Sequence, residues 1–206
     1  MISAQATVQT RPAPRPGQPL PWAALRERAG GGRMQEYLTP TKRTAVSAEL
    51  GQAARERTAG ADPLEAAAEI AAWVSGRVSY VQGATEVQTG AQEAWDMGQG
   101  VCQDMAQLTV ALLHAAGLPA RYVSGYLHPD PKAEPGSTAI GQSHAWVEYW
   151  AGAWTPLDPT SGAAVGERHV IVARGRDYAD VPPLKGIYHG PAGGDMQVTV
   201  EVTRLA

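Results

Sequence analysis

The order of elements along the chain predicts an α+β fold. Helical patterns crowd into the part of the sequence before Gly117, strand patterns fill most of the remainder, and the regular strand-helix alternation of a doubly wound sheet does not occur. The 206 residues, 44% of them hydrophobic, suffice for one buried core of ordinary domain size plus an appendage.

The appendage is expected first. Residues 11–21, RPAPRPGQPLP, are too rich in proline for a helix or a central strand to persist, and Gly30-Gly31-Gly32 adds a flexible point. Residues 1–44 are therefore assigned to a Pro/Gly-rich appendage and residues 45–206 to the core. Within the appendage, Ile2 to Gln9 reads as a strand, with Ile2, Ala4, Ala6 and Val8 on one face, which needs a partner to exist.

Ala45 to Arg57 has the pattern of a modest amphipathic helix closed by Gly60. At Asp62-Pro63-Leu64-Glu65 an N-cap acid, a proline at the first helical position and a glutamate three residues after the cap announce the next helix, running to about Ser75. Arg77 to Val81 alternates like a short strand, and Thr89 with Gln92 is placed to cap a short helix through Met97. After Gly98-Gln99-Gly100, Val101 to Ala116 sets Val101, Met105, Leu108, Leu112 and Leu113 at helical spacing and stops at Gly117 before Pro119. Strands are expected at Ala120 to Leu127, His144 to Trp150, Ala153 to Asp158, Arg168 to Val172 and Met196 to Leu205, with a polar loop from His128 to Ser143.

Several classes of partner are disfavoured. With 17 basic and 20 acidic residues the formal charge is -3, which supplies no positive field for phosphate backbone or anionic lipid, so neither nucleic acid nor membrane is expected. No apolar run approaches the ~20 residues that span a bilayer, and the start lacks the pattern of a signal peptide, so the expected location is cytoplasmic. One cysteine precludes an intramolecular disulfide, the five histidines show no metal-ligand spacing, and no phosphate-binding glycine motif occurs. No cofactor and no metal are implied.

That single cysteine opens a helix. A thiol reacts as thiolate, and the unpaired N–H groups at a helix start favour the charged form. Cys102 is placed where that help exists, behind glycines that permit tight turns. His144 begins a strand in which His144, Trp146, Glu148 and Trp150 share a face, and the strand ending at Asp158 follows through a tight connection. If the hairpin loop holds an odd number of residues, such as Ala151-Gly152-Ala153, His144 and Asp158 project from one face; an even loop separates them. Together the three groups match a nucleophile, a general base and the acid that orients it.

Four separated motifs carry a resemblance: Gly98 through Cys102 to Asp104; Gly117 to Tyr126; Ser143-His144-Ala145-Trp146-Val147-Glu148; and Trp154 through Leu157-Asp158-Pro159-Thr160. In this order they resemble the bacterial transglutaminase-like superfamily, of papain-related fold, with Gly166 to His169 and Gly175 to Tyr178 similar to that family's tail. The resemblance implies the catalytic set Cys102, His144 and Asp158, acting on a protein or peptide substrate by hydrolysis, proteolysis or amine transfer. It also implies that residues 1–44 are a remnant of the β domain that precedes the core in longer relatives. Tyr80 is a candidate second oxyanion donor beside the Cys102 backbone N–H, and Asp104 a partner for a nearby loop or for Arg121. The alternative is an inactive module of the same fold that presents a groove between Trp146, Trp150, Trp154 and the Cys102 helix to a peptide.

Overall fold

The computed structural model describes residues 3–13, 17–182 and 199–205. Its first element falls inside the segment assigned to an appendage. Helix α1, Trp22–Ala29, buries Leu25 and Ala29 completely in the common core. Trp22 Nε1–H donates to the Ala61 carbonyl at 2.8 Å, and the Leu20 N–H donates to the Ala151 carbonyl at 2.9 Å. The prolines that argue against a helix all precede Trp22, where a missing N–H costs nothing. A 3-10 helix, Gly32–Leu38, follows the glycine run. Residues 3–9 form no strand, and Ile2 lies outside the described residues.

Helix α2, Ala48–Arg57, starts three residues later than expected because the Ser47 hydroxyl caps it, accepting from the Leu50 N–H at 3.1 Å. Helix α3, Pro63–Arg77, opens with the expected capping box: Asp62 Oδ1 accepts from the N–H groups of Leu64 and Glu65, and Glu65 Oε2 accepts from that of Asp62. Strand β1, Ser79–Tyr80, is shorter than the alternation suggests. Helix α4, Ala91–Met97, is preceded by Gly90 rather than capped by Thr89 and Gln92. Those two side chains have other partners: Thr89 accepts from Glu86 N–H, and Gln92 accepts from Ser47 N–H.

Strand β2, Gln99–Gly100, pairs in parallel with β1, opposing Tyr80 to Gly100. Helix α5, Cys102–Ala116, is the axis of the molecule, with Leu108, Leu112 and Leu113 fully buried and a left-handed Gly117 at its end. Helices α2, α3 and α4 pack around it on one side.

Strand β3, Ala120–Leu127, matches its expected span. The polar loop after it holds a short strand β4, Thr138–Ile140, before β5, Gln142–Trp150. Strands β6, Trp154–Leu157, and β7, His169–Gly175, complete an antiparallel sheet of order β6-β5-β3-β7. The last strand, β8, Glu201–Thr203, pairs with β4 in a separate ribbon instead of joining that sheet. Of the rest of that expected strand, residues 199–200 and 204–205 are not strand and residues 196–198 lie outside the described residues. Period-two alternation gives β5 its two roles. Ala145, Val147 and Tyr149 join the core against α5, whereas His144, Trp146 and Glu148 occupy the opposite face.

Candidate active site

The site begins at the first turn of α5. Cys102 is its first residue and is partly exposed. The turn is held by Asp104, whose Oδ2 accepts from the Val101 N–H at 2.8 Å and from the Thr85 hydroxyl at 2.5 Å. Asp104 thus serves a loop, as one expectation had it, while Arg121 is bound elsewhere. Burial raises the Asp104 pKa, against the lowering by these hydrogen bonds. Gly100 makes the arrangement possible, because a Cβ there would stand 2.9 Å from the Asp104 Cβ and 3.0 Å from its Oδ2.

His144 and Asp158 meet through the parity of the hairpin. Trp150 opposes Trp154 and Val147 opposes Leu157, so the β5-β6 loop has the three residues Ala151 to Ala153. Continued by one position, that register sets Asp158 beside Trp146 and diagonal to His144 on the same face. The His144 Nε2 lies 2.9 Å from Asp158 Oδ2. Asp158 is buried and accepts further bonds from the Ser161 hydroxyl at 2.7 Å and the Thr160 N–H at 2.9 Å. The Asp-Pro-Thr-Ser turn that supplies them is a local Asx turn.

The electrostatics follow from these contacts. Burial alone raises the Asp158 pKa, but hydrogen bonds from His144 and Ser161, with the His169 ring facing it, win and hold it well below the usual carboxylate range. For His144, burial lowers the pKa, while hydrogen bonding to Asp158 and to the Cys102 thiol, with their charges, raises it to about 9. Nε2 is committed to Asp158, which leaves Nδ1 as the ring atom for the thiol.

Tyr80 is half exposed, and its pKa is raised by partial burial and then by the charge of Cys102, so its phenol keeps its proton. A second phenol, Tyr122 on β3, is buried and pushed up by the same two causes. Of the aromatic residues in the alternative reading, Trp146 is fully buried, edge-on to His169, and cannot line a groove, while Trp154 lies under the Arg121 guanidinium at 3.9 Å.

Sequence reasoning missed His169, which is brought up behind Asp158 by β7, with Nε2 3.6 Å from Asp158 Oδ2. The motif Gly166 to His169 was visible as part of the family's tail, but only the pairing of β7 with β3 reveals that it brings His169 to Asp158. His144, Asp158 and His169 offer ligand atoms within 4.8 Å of one another, close enough for an ion. The chemistry of the donor set argues otherwise. His169 Nδ1 accepts from the Gly166 N–H at 3.2 Å, so the proton of the neutral ring sits on Nε2, the atom an ion would need bare. No helix among the described residues is long and apolar enough to cross a membrane.

Comparison with known proteins agrees with this arrangement. The family model described as the transglutaminase-like superfamily matches residues 51–159, a span that ends just past Asp158. An uncharacterised protein of Mycobacterium leprae is 41% identical over 91% of this chain and 67% of its own length. An uncharacterised protein of Mycobacterium tuberculosis is 41% identical over 68% of this chain but 47% of its own, so this chain spans 47% to 67% of the length of these relatives. A protein-glutamine gamma-glutamyltransferase of Pseudomonas aeruginosa is 37% identical over 50% of this chain and 17% of its own length. Among solved structures, a candidate cysteine protease from Cytophaga hutchinsonii superposes with a TM-score of 0.63 at 29% identity, covering 74% of this chain and 50% of the other. With its motifs, its helix-borne cysteine and its antiparallel sheet all of that pattern, the chain belongs to the transglutaminase-like superfamily.

Proposed function

We propose that Cys102, His144 and Asp158 form a catalytic triad that transfers an acyl group from a carboxamide or peptide bond through a thioester. The observation that carries this reading is the His144 imidazole held at 2.9 Å by a buried carboxylate, with the thiol at the start of α5 close enough to be among the causes that raise its pKa.

The residues then act in sequence. Cys102 Sγ attacks the carbonyl carbon while His144 holds the thiol's proton on Nδ1, and Asp158 keeps Nε2–H in place and offsets the ring's charge. The oxyanion takes hydrogen bonds from the Cys102 N–H and the Tyr80 hydroxyl. As the C–N bond breaks, His144 returns the proton to the departing ammonia or amine. Water or a primary amine, deprotonated by the same ring, next attacks the thioester and frees the enzyme. The partial exposure of Cys102 and Tyr80 leaves water a path to that thioester, which favours hydrolysis or proteolysis alongside amine transfer. A lone thiol that has to stay reduced to react fits the cytoplasm.

The test offers a glutamine-containing protein with and without a labelled primary amine and follows ammonia release, label incorporation and chain cleavage separately, with Cys102→Ala as control. Any of the three, lost in Cys102→Ala, supports acyl transfer; efficient amine incorporation with negligible hydrolysis or cleavage overturns the preference for water. No activity on glutamine or peptide substrates, together with alkylation of Cys102 no faster than that of free cysteine, overturns the enzyme reading.

A further inference from the structure

We infer that His169 is a second positioning residue of this site: its Nε2–H steadies the Asp158 carboxylate from behind, and through it the His144 ring. The inference rests on the triad reading above and names a residue that the triad does not include.

Three observations converge. First, His169 is buried, 6% exposed, and reaches Asp158 Oδ2, the same oxygen that faces His144. Second, its tautomer is set by the backbone. The Gly166 N–H donates to Nδ1, so the neutral ring has its proton on Nε2, pointing where the carboxylate is. Third, that N–H has no hydrogen-bond acceptor within ordinary distance among the described residues, and at 3.6 Å Asp158 is the charged group it faces. A buried donor left without a partner is costly, and catalytic hydrogen bonds are often long before substrate binds. The rings around it are closely packed. Trp146 is fully buried, edge-on to the His169 ring at 5.1 Å between centroids and stacked near His144 at 5.9 Å, so neither ring swings freely.

The two histidines divide the work by their hydrogen bonds. His144 exchanges a proton with the thiol and alternates between charged and neutral forms. His169 has Nδ1 engaged by the Gly166 N–H and turns Nε2 toward the carboxylate, where it orients and exchanges no proton with the thiol. Ser161 and Thr160 hold the carboxylate from its own turn, whereas His169 is the support that comes from a different strand, so it ties the β6 end of the site to β7. A carboxylate held from both sides cannot rotate away when the imidazole becomes neutral during turnover.

The experiment needs no substrate, because Cys102 is the sole cysteine and its alkylation by iodoacetamide at pH 7 reports on the thiol–His144 pair. His169→Leu should slow alkylation about ten-fold, within the range of couplings between contacting residues, and His169→Gln, which keeps an N–H donor, should recover most of it. In an Asp158→Ala background His169→Leu should add nothing, since its effect runs through that carboxylate. An equal further loss there shows a merely structural role and overturns the proposal. If Asp158→Ala slows alkylation but His169→Leu in folded protein does not, the proposal fails while the triad stands. If neither changes it, the triad reading itself fails. Should His169→Leu not fold, histidine nitrogen NMR of the unaltered protein decides: a proton on His169 Nε2 is expected, and one on Nδ1 overturns the assignment.

Discussion

His144 on β5 and Asp158 just beyond β6 touch at 2.9 Å because the loop between their strands has three residues, Ala151 to Ala153. One residue more or fewer would turn one of the pair to the other face of the sheet. The helix start that carries Cys102 and the hairpin that carries His144 and Asp158 are thus independent constructions.

If Asp158 orients that imidazole, Asp158→Ala should lower turnover by about 100- to 10,000-fold in protein that remains folded. His144→Ala should be at least as damaging. Steady-state rates, with circular dichroism as the check on folding, measure both. Full activity in folded Asp158→Ala would place the orienting acid elsewhere.

The same pair makes stability depend on pH. His144 is raised from 6.5 to about 9, so the folded chain binds its proton more tightly than the unfolded chain does. That contribution is complete below pH 6.5 and is lost as pH rises through about 9, with an upper limit of about 3 kcal/mol. Asp158 works in the opposite sense: its pKa is lowered from 3.8, so its contribution is present above that value and lost only in acid. Urea midpoints should fall between pH 6.5 and 9 in the parent protein and fall less over that window in Asp158→Asn, where only the Cys102 part of the effect remains. A flat profile in the parent would mean that the pair is not formed in solution.

Much of this was legible beforehand, and the reasons differ by element. Local chemistry announced α3 and α5, since Asp62, Pro63 and Glu65 act within one turn and Gly117 ends its helix by its own backbone. Cys102, His144 and Asp158 were legible as three residues in order, but the meeting of His144 and Asp158 hung on the parity of a loop that sequence left open. Helix α1 was hidden by prolines that stop short of it, and its burial depends on distant partners such as Ala61. His169 was hidden for a similar reason: nothing near it in sequence tells that β7 will lie against β3 and bring it to Asp158.

Glu148 anchors the sheet face that carries His144. It is buried and accepts from Arg121 Nε at 2.8 Å and from Arg174 Nε at 2.8 Å and Nη2 at 3.1 Å, linking β5 to both β3 and β7. Glu148→Ala leaves two guanidinium groups facing each other without a carboxylate. Arg174 is 40% exposed and can turn to water, so the cost should be about 2–3 kcal/mol, below that of a fully buried pair. Denaturant unfolding measures it, and a change under 0.5 kcal/mol would mean that solvent already screens the cluster.

The last prediction concerns Gly125, which opposes His144 across the β3-β5 ladder where the pairing of β3 with β7 shifts register. A Cβ at this position would lie 2.7 Å from Trp146 Cη2 and 3.0 Å from its Cζ3, and would also strike the Val170 carbonyl. Neither obstacle yields cheaply, because Trp146 is fully buried and the carbonyl belongs to β7. Gly125→Ala should therefore cost about 1–3 kcal/mol, as overpacking of a close-packed interior does. It should also disturb the site, since the displaced indole is the ring that stacks near His144 and meets His169 edge-on. A simple loss of stability would leave turnover per folded molecule unchanged at low temperature. Displacement of Trp146 would lower it there as well, with slower alkylation of Cys102. Measuring both quantities well below the melting midpoint separates the two effects, and parent-like values in Gly125→Ala would show that the indole moves without moving the imidazole.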